Sequence, residues 1–222
     1  MNALIVAAAP MVGSALLVAK LSAEYDYLIA VDGGGSVCIE AGVKPDIVLG
    51  DFDSIDPAAL EWLRHGGSRI KAYPADKDQT DLELALSTAR AEGADRITVT
   101  AVSSRRLDHT LAAIGAIGAA ADLWPQVVEP EAQAWVLAAG ARDALRVTGV
   151  GATISLVSLG DGARVSISGV RWPLDRHDLP AGSGLGVSNV VANQAGALIQ
   201  VHEGIVLAIA PDTFDAVRAA AE

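Results

Sequence analysis

The sequence has a single cysteine and few basic side chains. One cysteine, Cys38, excludes a disulfide bond within the chain and is typical of a protein in the reducing cytoplasm. The 222 residues include 16 lysines and arginines against 27 aspartates and glutamates, which gives a formal net charge of −11. Because phosphate backbones select basic surfaces, this charge argues against a nucleic acid as the main partner.

Charged residues are also absent from the first segment, Met1–Ala19. A secretory signal needs a basic stretch before its apolar core, and none is present here. Pro10 and Gly13 interrupt the apolar run, so neither half is long enough to cross a bilayer as a helix. A Gly-x-Gly-x-x-Gly motif is missing after the first apolar run, which argues against a Rossmann-type oxidoreductase. We expect a cytoplasmic protein that binds no membrane.

Up to about Gly140, short apolar runs alternate with amphipathic segments. This alternation predicts a parallel sheet with helices on both faces. Asp56 followed by Pro57 predicts a capped helix start. The predicted strands are Ala3–Ala8, Tyr27–Val31, Ile47–Leu49, Ile70–Ala72, Ile97–Val102 and Ala134–Leu137. The predicted helices are Ser14–Leu21, Ser36–Ala41, Pro57–Arg64, Thr80–Glu92 and Asp108–Ala121.

After Gly140 the segments become short, rich in valine, isoleucine and serine, and separated by glycines. They predict antiparallel strands in a sandwich or small barrel, at Thr153–Ser158, Arg164–Ser168, Ala197–Val201 and Ile205–Ile209. Asp212 is a candidate cap for a last helix, Thr213–Ala221. The predicted fold is α/β: an N-terminal Rossmann-like parallel-sheet domain, residues 1–140, followed by a C-terminal antiparallel β-sandwich domain, residues 141–222.

Acidic side chains concentrate in four segments that each follow a predicted strand. The segments are Val31-Asp32-Gly33-Gly34-Gly35, Gly50-Asp51-Phe52-Asp53-Ser54, Asp76-Lys77-Asp78-Gln79-Thr80-Asp81 and Arg106-Leu107-Asp108-His109. In an open α/β sheet, ligands bind beyond the carboxyl ends of the strands, so these loops are expected to meet at one rim. Mg²⁺ takes oxygen ligands and bridges carboxylates to substrate phosphates. The pattern predicts a Mg²⁺-dependent enzyme that acts on a nucleotide.

Asp51 and Asp53 have the best spacing for a metal site. Residues two apart at a strand end can point the same way, which leaves Phe52 for the core. Lys77 is a candidate point charge for a phosphate oxygen. Structural explanations stay open at this stage: a simple turn after Gly50, acidic residues that favour the start of a helix near Asp81, or an exposed ion pair in the Arg106 segment.

These segments, in this order, resemble those of the thiamine pyrophosphokinase family. The resemblance extends to Lys44-Pro45-Asp46 and Ile55, and later to Gly169-Val170-Arg171-Trp172-Pro173-Leu174 and Gly186-Val187-Ser188-Asn189. It implies transfer of the pyrophosphoryl group of ATP to the hydroxyl of thiamine, with Mg²⁺, to give thiamine diphosphate and AMP. It also implies a homodimer with the active site between subunits.

The resemblance implies three sets of site residues. The catalytic and metal-binding set is Asp51, Asp53 and Asp81. The nucleotide- and phosphate-binding set is Asp32, Gly33, Gly34, Ser54, Asp76, Lys77, Asp78, Gln79, Thr80, Arg106, Asp108 and His109. The thiamine-binding set is Trp172, Ser188 and Asn189, in which Trp172 offers an aromatic face to a cationic ring.

Two segments depart from the family pattern, and two other functions stay open. Ser103-Ser104-Arg105 replaces the usual glycines before Arg106, and Ala7-Ala8-Ala9-Pro10 lacks a glycine often found after the first strand. Two consequences stay open for the first loop: it is stiffer than in the family, or serine hydroxyls replace the bare backbone groups as hydrogen-bonding partners. The alternatives are a pyrophosphokinase for another alcohol, such as a hydroxymethylpterin, and a non-catalytic nucleotide or thiamine sensor. Trp172 as a core side chain and Ser188-Asn189 as a plain turn also stay open.

Overall fold

The computed structural model describes residues 1–140 and 143–211. The chain divides into two compact units, Met1–Pro130 and Glu131–Glu222. This division lies ten residues before the predicted boundary after residue 140. The difference comes from the strand predicted at Ala134–Leu137 as part of the parallel sheet. In the structure this strand is Ala132–Ala138, and it pairs antiparallel with Ala197–Pro211 of the second unit. The predicted helix Thr213–Ala221 lies outside the described residues.

The first unit is a parallel sheet flanked by helices, as predicted. Its strands are β1 (Asn2–Val6), β2 (Tyr27–Val31), β3 (Ile47–Gly50), β4 (Arg69–Ala72), β5 (Arg96–Thr100) and β6 (Pro125–Glu129). Their order across the sheet is β6-β5-β1-β2-β3-β4, with every pairing parallel. Strands β2, β3 and β4 follow one another on one side of β1. The chain then crosses over, and β5 and β6 lie on the other side of β1. The switch in direction lies beside β1, where open α/β sheets bind their ligands.

Two of the five helices of this unit, those that start at Pro57 and Asp81, begin with a side-chain cap. The five helices are α1 (Ser14–Leu21), α2 (Gly34–Glu40), α3 (Pro57–His65), α4 (Asp81–Ala91) and α5 (Leu107–Ala119), with short 3₁₀ turns at Ser22–Glu24 and Ala121–Leu123. The predicted cap is confirmed, because Asp56 accepts a hydrogen bond of 2.7 Å from the Ala58 N–H. Thr80 and Glu83 form a reciprocal capping box at the start of α4. Among the described helices, none has both the length and the apolar character needed to span a bilayer.

Strand β6 is the one element of the parallel sheet that the sequence pattern does not predict. It begins at Pro125, and proline is disfavoured in strands except at positions such as the first residue. Its Val127-Val128 centre is buried beside β5. The strand ends at Glu129, which is itself buried.

The second unit is built from antiparallel strands. They are β7 (Ala132–Ala138), β8 (Ala144–Val147), β9 (Thr153–Ser168), β10 (Leu174–Pro180), β11 (Asn189–Val190) and β12 (Ala197–Pro211). The four predicted strands are the halves of β9 and β12, which each continue through a bend. The register of their pairing slips at Val201–Glu203 and again at Gly204–Ile205.

The bends divide these strands between two layers around one core. The first half of β12 pairs with β8 and with the second half of β9, which also pairs with β10. The second half of β12 pairs with β7 and with the first half of β9, which also pairs with β11. Side chains from all four halves are buried in the same cluster, including Ile154, Val165, Ile199 and Val206. The predicted sandwich is confirmed.

Candidate active site

Three carboxylates meet at the carboxyl ends of β2 and β3. Asp32, Asp51 and Asp53 each place one carboxylate oxygen so that the three oxygens lie within 4.8 Å of one another. Asp32 directly follows strand β2, whereas Asp51 and Asp53 follow its neighbour β3. An all-oxygen donor set of this density fits a hard divalent cation such as Mg²⁺.

An unusual backbone turn after β3 builds this cluster. Phe52 has a positive φ of 64°, and its N–H donates a hydrogen bond of 2.8 Å to Asp32 Oδ1. The Phe52 ring packs against the core of the first unit, so Asp51 and Asp53 on either side point away from that core, as predicted. The Asp53 N–H donates to Asp51 Oδ1 at 3.2 Å. Gly50 leaves the space that this arrangement needs, since a Cβ there would lie 2.8 Å from Asp32 Oδ1.

The cluster is electrostatically unfavourable without a cation. Burial, together with the charges of Asp51, Asp81 and Asp53, raises the pKa of Asp32 from 3.8 to about 6, against the opposing effect of the hydrogen bond from Phe52. Asp32 is only 6% exposed. A cation bound among these groups would remove both the repulsion and much of the cost of burial.

Gly33 and Gly34 lie where the turn after β2 leads into α2, and neighbouring atoms leave little room for a side chain there. The Gly33 N–H donates to Ser54 Oγ at 3.0 Å, which ties the loop after β2 to the loop after β3. A Cβ on Gly34 would lie 2.2 Å from the carbonyl oxygen of Val6, so only glycine allows α2 to start this close to β1. These contacts explain both glycines without a ligand and leave their predicted role in phosphate binding untested.

Asp81 lies at the first position of α4 and differs from the other acidic groups. Its Oδ1 is buried and accepts no hydrogen bond from the described residues. The Lys77 ammonium nitrogen lies 3.2 Å away, within ion-pair distance but outside hydrogen-bond geometry, and donates instead to the Pro74 carbonyl at 2.9 Å. The structure thus groups Asp32, not Asp81, with Asp51 and Asp53. Asp81 stays a predicted ligand, and its charge reaches Asp32.

A pocket of about 490 Å³ opens at this end of the first unit. The predicted residues that line it are Asp32, Asp53, Ser54, Thr80, Asp81, Arg106 and His109. The predicted residues of the first unit that do not line it are Gly33, Gly34, Asp51, Asp76, Lys77, Asp78, Gln79 and Asp108. Its remaining walls are mostly apolar and come from the ends of β1 and β5 and from α5, as Ala7, Ala8, Ala101, Val102 and Ala112. The pocket therefore combines an acidic side with an apolar side.

Side-chain hydroxyls order the segment before α5, which agrees with the second of the two alternatives left open for this loop. Ser104 Oγ accepts the Arg106 N–H at 3.0 Å, and Thr110 Oγ1 accepts the Ser104 N–H at 3.0 Å. Arg106 and Asp108 form an exposed ion pair of 2.7 Å, and this contact lowers the pKa of Asp108. His109 is exposed at the edge of the pocket, 4.0 Å from the Asp108 carboxylate. An exposed pair of this kind adds little stability, so the Arg106 guanidinium is available to an anion.

The predicted thiamine-binding residues lie together in the second unit. Trp172 is 54% exposed, which excludes a core role, and the Arg171 guanidinium lies 4.9 Å from its ring centroid. Asn189 is buried, and its side chain accepts the N–H groups of Trp172 and Val190 and donates to the Trp172 carbonyl at 2.6 Å. Ser188 is exposed with a positive φ of 62°. Asn189 thus fixes the loop that presents Trp172.

The sequence reasoning missed Glu129, at the end of β6. Its buried carboxylate accepts hydrogen bonds from three consecutive backbone N–H groups, those of residues 101 to 103. Two of these residues line the pocket. The signal of Glu129 in the sequence is the same as that of Asp32, an acidic residue at the end of an apolar run, but this run begins with proline, which is disfavoured in strands.

Comparisons with known proteins agree with this site. The family model "Thiamin pyrophosphokinase, catalytic domain" matches residues 18–123, and "Thiamin pyrophosphokinase, vitamin B1 binding domain" matches residues 145–206. Thiamine pyrophosphokinase of Bacillus subtilis is 26% identical over 188 residues, which cover 84% of this chain and 87% of that protein.

Solved structures share the fold. The crystal structure of the Bacillus subtilis thiamine pyrophosphokinase aligns with a TM-score of 0.79 at 24% identity, over 96% of this chain and 100% of that chain. Thiamin pyrophosphokinase from Candida albicans aligns with a TM-score of 0.77 at 15% identity, over 95% of this chain and 89% of that chain. With both halves matched by family models and the fold shared along nearly its whole length, the chain belongs to the thiamine pyrophosphokinase family.

Proposed function

We propose that the protein transfers the pyrophosphoryl group of ATP to the hydroxyl of thiamine and releases thiamine diphosphate and AMP. The observation that carries this proposal is the match of both parts of the chain to the family's catalytic and vitamin B1-binding models, with three carboxylates gathered beside the pocket of the first unit. The curated relative that shares 26% identity carries the name of this activity.

Mg²⁺ is the proposed metal, and the donor set fits it. Asp51, Asp53 and Asp81 are the proposed ligands, with Asp32 beside them. Two features support a cation here: the raised pKa of Asp32 and the buried Asp81 oxygen that accepts no hydrogen bond from the described residues. When bound, Mg²⁺ neutralises charge on the triphosphate and on the transferring phosphoryl group.

The remaining chemistry is mainly positioning, as in other phosphoryl transfers. The thiamine hydroxyl attacks the β-phosphorus of ATP, its proton passes to one of the site aspartates, and AMP leaves. Arg106 and His109 line the pocket and are exposed, so they can contact the phosphates. Lys77 is paired with Asp81 at 3.2 Å, and a phosphate oxygen that enters the site competes for the same ammonium group.

Thiamine is proposed to bind at Trp172. The exposed indole face can stack on the cationic ring of the vitamin, and a cation over tryptophan is the most favourable of such contacts. The Asn189 amide is occupied by backbone groups, so its proposed role is to hold this loop rather than to bind the vitamin. Ser188, beside it and exposed, offers a hydroxyl to the aminopyrimidine.

We further propose a cytoplasmic homodimer with the active site at the subunit interface. Thiamine-binding residues in one unit and carboxylates in the other suit a site completed by two chains. Several large apolar side chains of the first unit are exposed and suit a contact face: Val12 at 99%, Leu16 at 78%, Leu107 at 70% and Leu111 at 62%. Light scattering after gel filtration measures the mass, and a monomer would exclude the shared site. Mixing Trp172→Ala chains with Asp53→Asn chains should restore activity.

A single product analysis tests the reaction. The protein is incubated with ATP, Mg²⁺ and thiamine, and AMP and thiamine diphosphate are expected in equal amounts. ADP with thiamine monophosphate would indicate a simple kinase. Turnover of a hydroxymethylpterin in place of thiamine would indicate the related pyrophosphokinase, and binding without turnover would indicate a sensor. Asp53→Asn serves as the inactive variant and the exposed Asp161→Asn as its matched control.

A further inference from the structure

Glu129 is a buried carboxylate without a charged partner. It is 4% exposed at the end of β6, and no lysine, arginine or histidine in the described parts of the chain forms an ion pair with it. Its Oε1 accepts the N–H groups of Val102 at 2.8 Å and Ser103 at 3.0 Å, and its Oε2 accepts that of Ala101 at 3.3 Å. Burial raises the pKa of Glu129, and these hydrogen bonds oppose the rise.

The segment that Glu129 holds is a wall of the pocket. Ala101 and Val102 line the pocket, as does Ser104 just beyond them. Ala101 has a positive φ of 58°, a conformation that a residue with a side chain seldom adopts without support. Its carbonyl accepts the Ala9 N–H at 2.9 Å, so the extension of β1 holds the same turn from the other side.

A neutral side chain cannot replace the carboxylate here. Three N–H groups in succession converge on two acidic oxygens, and such N–H concavities favour an anion. Glutamine has a single carbonyl oxygen, and its NH₂ group would face the Ala101 N–H, donor against donor. Burying a charge that has no cation is unfavourable for stability, so a role in shaping the site explains the residue better than stability does.

We propose that Glu129 is a positioning residue for the nucleotide: it fixes the Ala101–Ser103 turn and so sets the affinity for ATP without touching it. This inference rests on the proposed function in one respect only: it takes ATP as the ligand that contacts this wall of the pocket. Glu129 lies beyond residues 18–123, the part matched by the catalytic-domain model.

The test uses Glu129→Gln in the full-length protein, with Ser68→Ala as control. Ser68 is also buried and polar, at the amino end of the sheet beside β4, where its Oγ donates to the Pro45 carbonyl. Both variants should lose thermal stability. Only Glu129→Gln should raise the KM for ATP, by about tenfold, since a small misplacement in a binding site is costly, while kcat and the KM for thiamine change less than about twofold.

Amide hydrogen exchange gives a readout that does not depend on turnover. Without ligand, exchange at Val102 and Ser103 should be about tenfold faster in Glu129→Gln than in wild type, with Val99 in β5 unchanged. If the wild-type protein binds ATP but does not turn over, the proposed reaction is wrong. The positioning role is then tested by the Kd for ATP in place of the KM. An unchanged affinity for ATP in the folded variant, or equal loss for ATP and thiamine, would overturn the positioning role.

Discussion

Replacing Asp32 by asparagine should stabilise the metal-free protein at neutral pH. The pKa of Asp32 is about 6 against an ordinary 3.8, and the side chain is 6% exposed. A difference of this size corresponds to about 3 kcal/mol that the native state loses when the group ionises. Asparagine cannot ionise and still offers an oxygen to the Phe52 N–H. Because that hydrogen bond weakens by about 1 kcal/mol without the charge, the net gain at pH 7.5 should be about 1–2 kcal/mol.

The sign depends on pH. The folded protein binds the Asp32 proton more tightly than the unfolded chain, since the pKa is raised on folding. The free energy of unfolding of wild type therefore falls, through this group, as the pH rises from about 4 to about 6, and stays lower above that range. Asp32→Asn lacks this loss. Its advantage should be largest at pH 7.5 and should disappear or reverse near pH 4.

Urea unfolding with EDTA, followed by circular dichroism at several pH values, measures the difference. Asp161→Asn is the control, because it removes the same charge from an exposed position, and it should show no such pH dependence. Mg²⁺ should then stabilise wild type more than Asp32→Asn, since a ligand that binds only the native state adds to its stability. An Asp32→Asn protein that is less stable than wild type at every pH would refute the account of Asp32 as a carboxylate destabilised by burial and by its acidic neighbours.

Three further predictions concern other parts of the site. Asp53→Asn should lower kcat by about 10²–10³ in the product assay, with little change in the melting temperature of the apo protein. Gly50→Ala should cost more than about 1 kcal/mol in urea unfolding and lower activity, because its φ is 147° and the added Cβ would lie 2.8 Å from Asp32 Oδ1. Asn189→Ala should raise the KM for thiamine and leave the KM for ATP unchanged, because the loop that carries Trp172 loses its support.

Each of these expectations has a contrary outcome. An Asp53→Asn protein that melts much earlier but turns over normally when folded would make Asp53 a structural residue. Full stability in Gly50→Ala would show that the turn after β3 can relax without disturbing the carboxylates. If Asn189→Ala changes the KM for thiamine and the KM for ATP equally, the cause is a general loss of folding. If neither KM changes, Asn189 has no role in thiamine binding.

Local chemistry is what made the first unit predictable. Helix starts depend on neighbours in sequence, so Asp56 before Pro57 predicted its cap, and the spacing of Asp51 and Asp53 predicted that Phe52 would face the core. The closeness of Asp32 to both depends on a hydrogen bond between two loops. The sequence alone contains no sign of that bond.

Contacts distant in sequence explain what the pattern missed. Glu129 reaches residues 101 to 103 across the pairing of β5 and β6, and Asn189 supports Trp172 from 17 residues away. The bends in β9 and β12 have the glycines and polar residues of ordinary turns, so each strand was predicted as two. Their continuity depends on partners that hydrogen-bond on both sides of the bend.

The bent strands have a consequence for how the second unit unfolds. Because β9 and β12 each belong to both layers, neither layer can detach while the other stays intact. We therefore expect a single cooperative transition, with slow-exchanging amides of both halves opening together. The same continuity makes the register slip near Gly204 a poor place for an inserted residue. The exposed turn at 181–184, outside the strands, should tolerate one with little loss, since it carries none of the strand pairing.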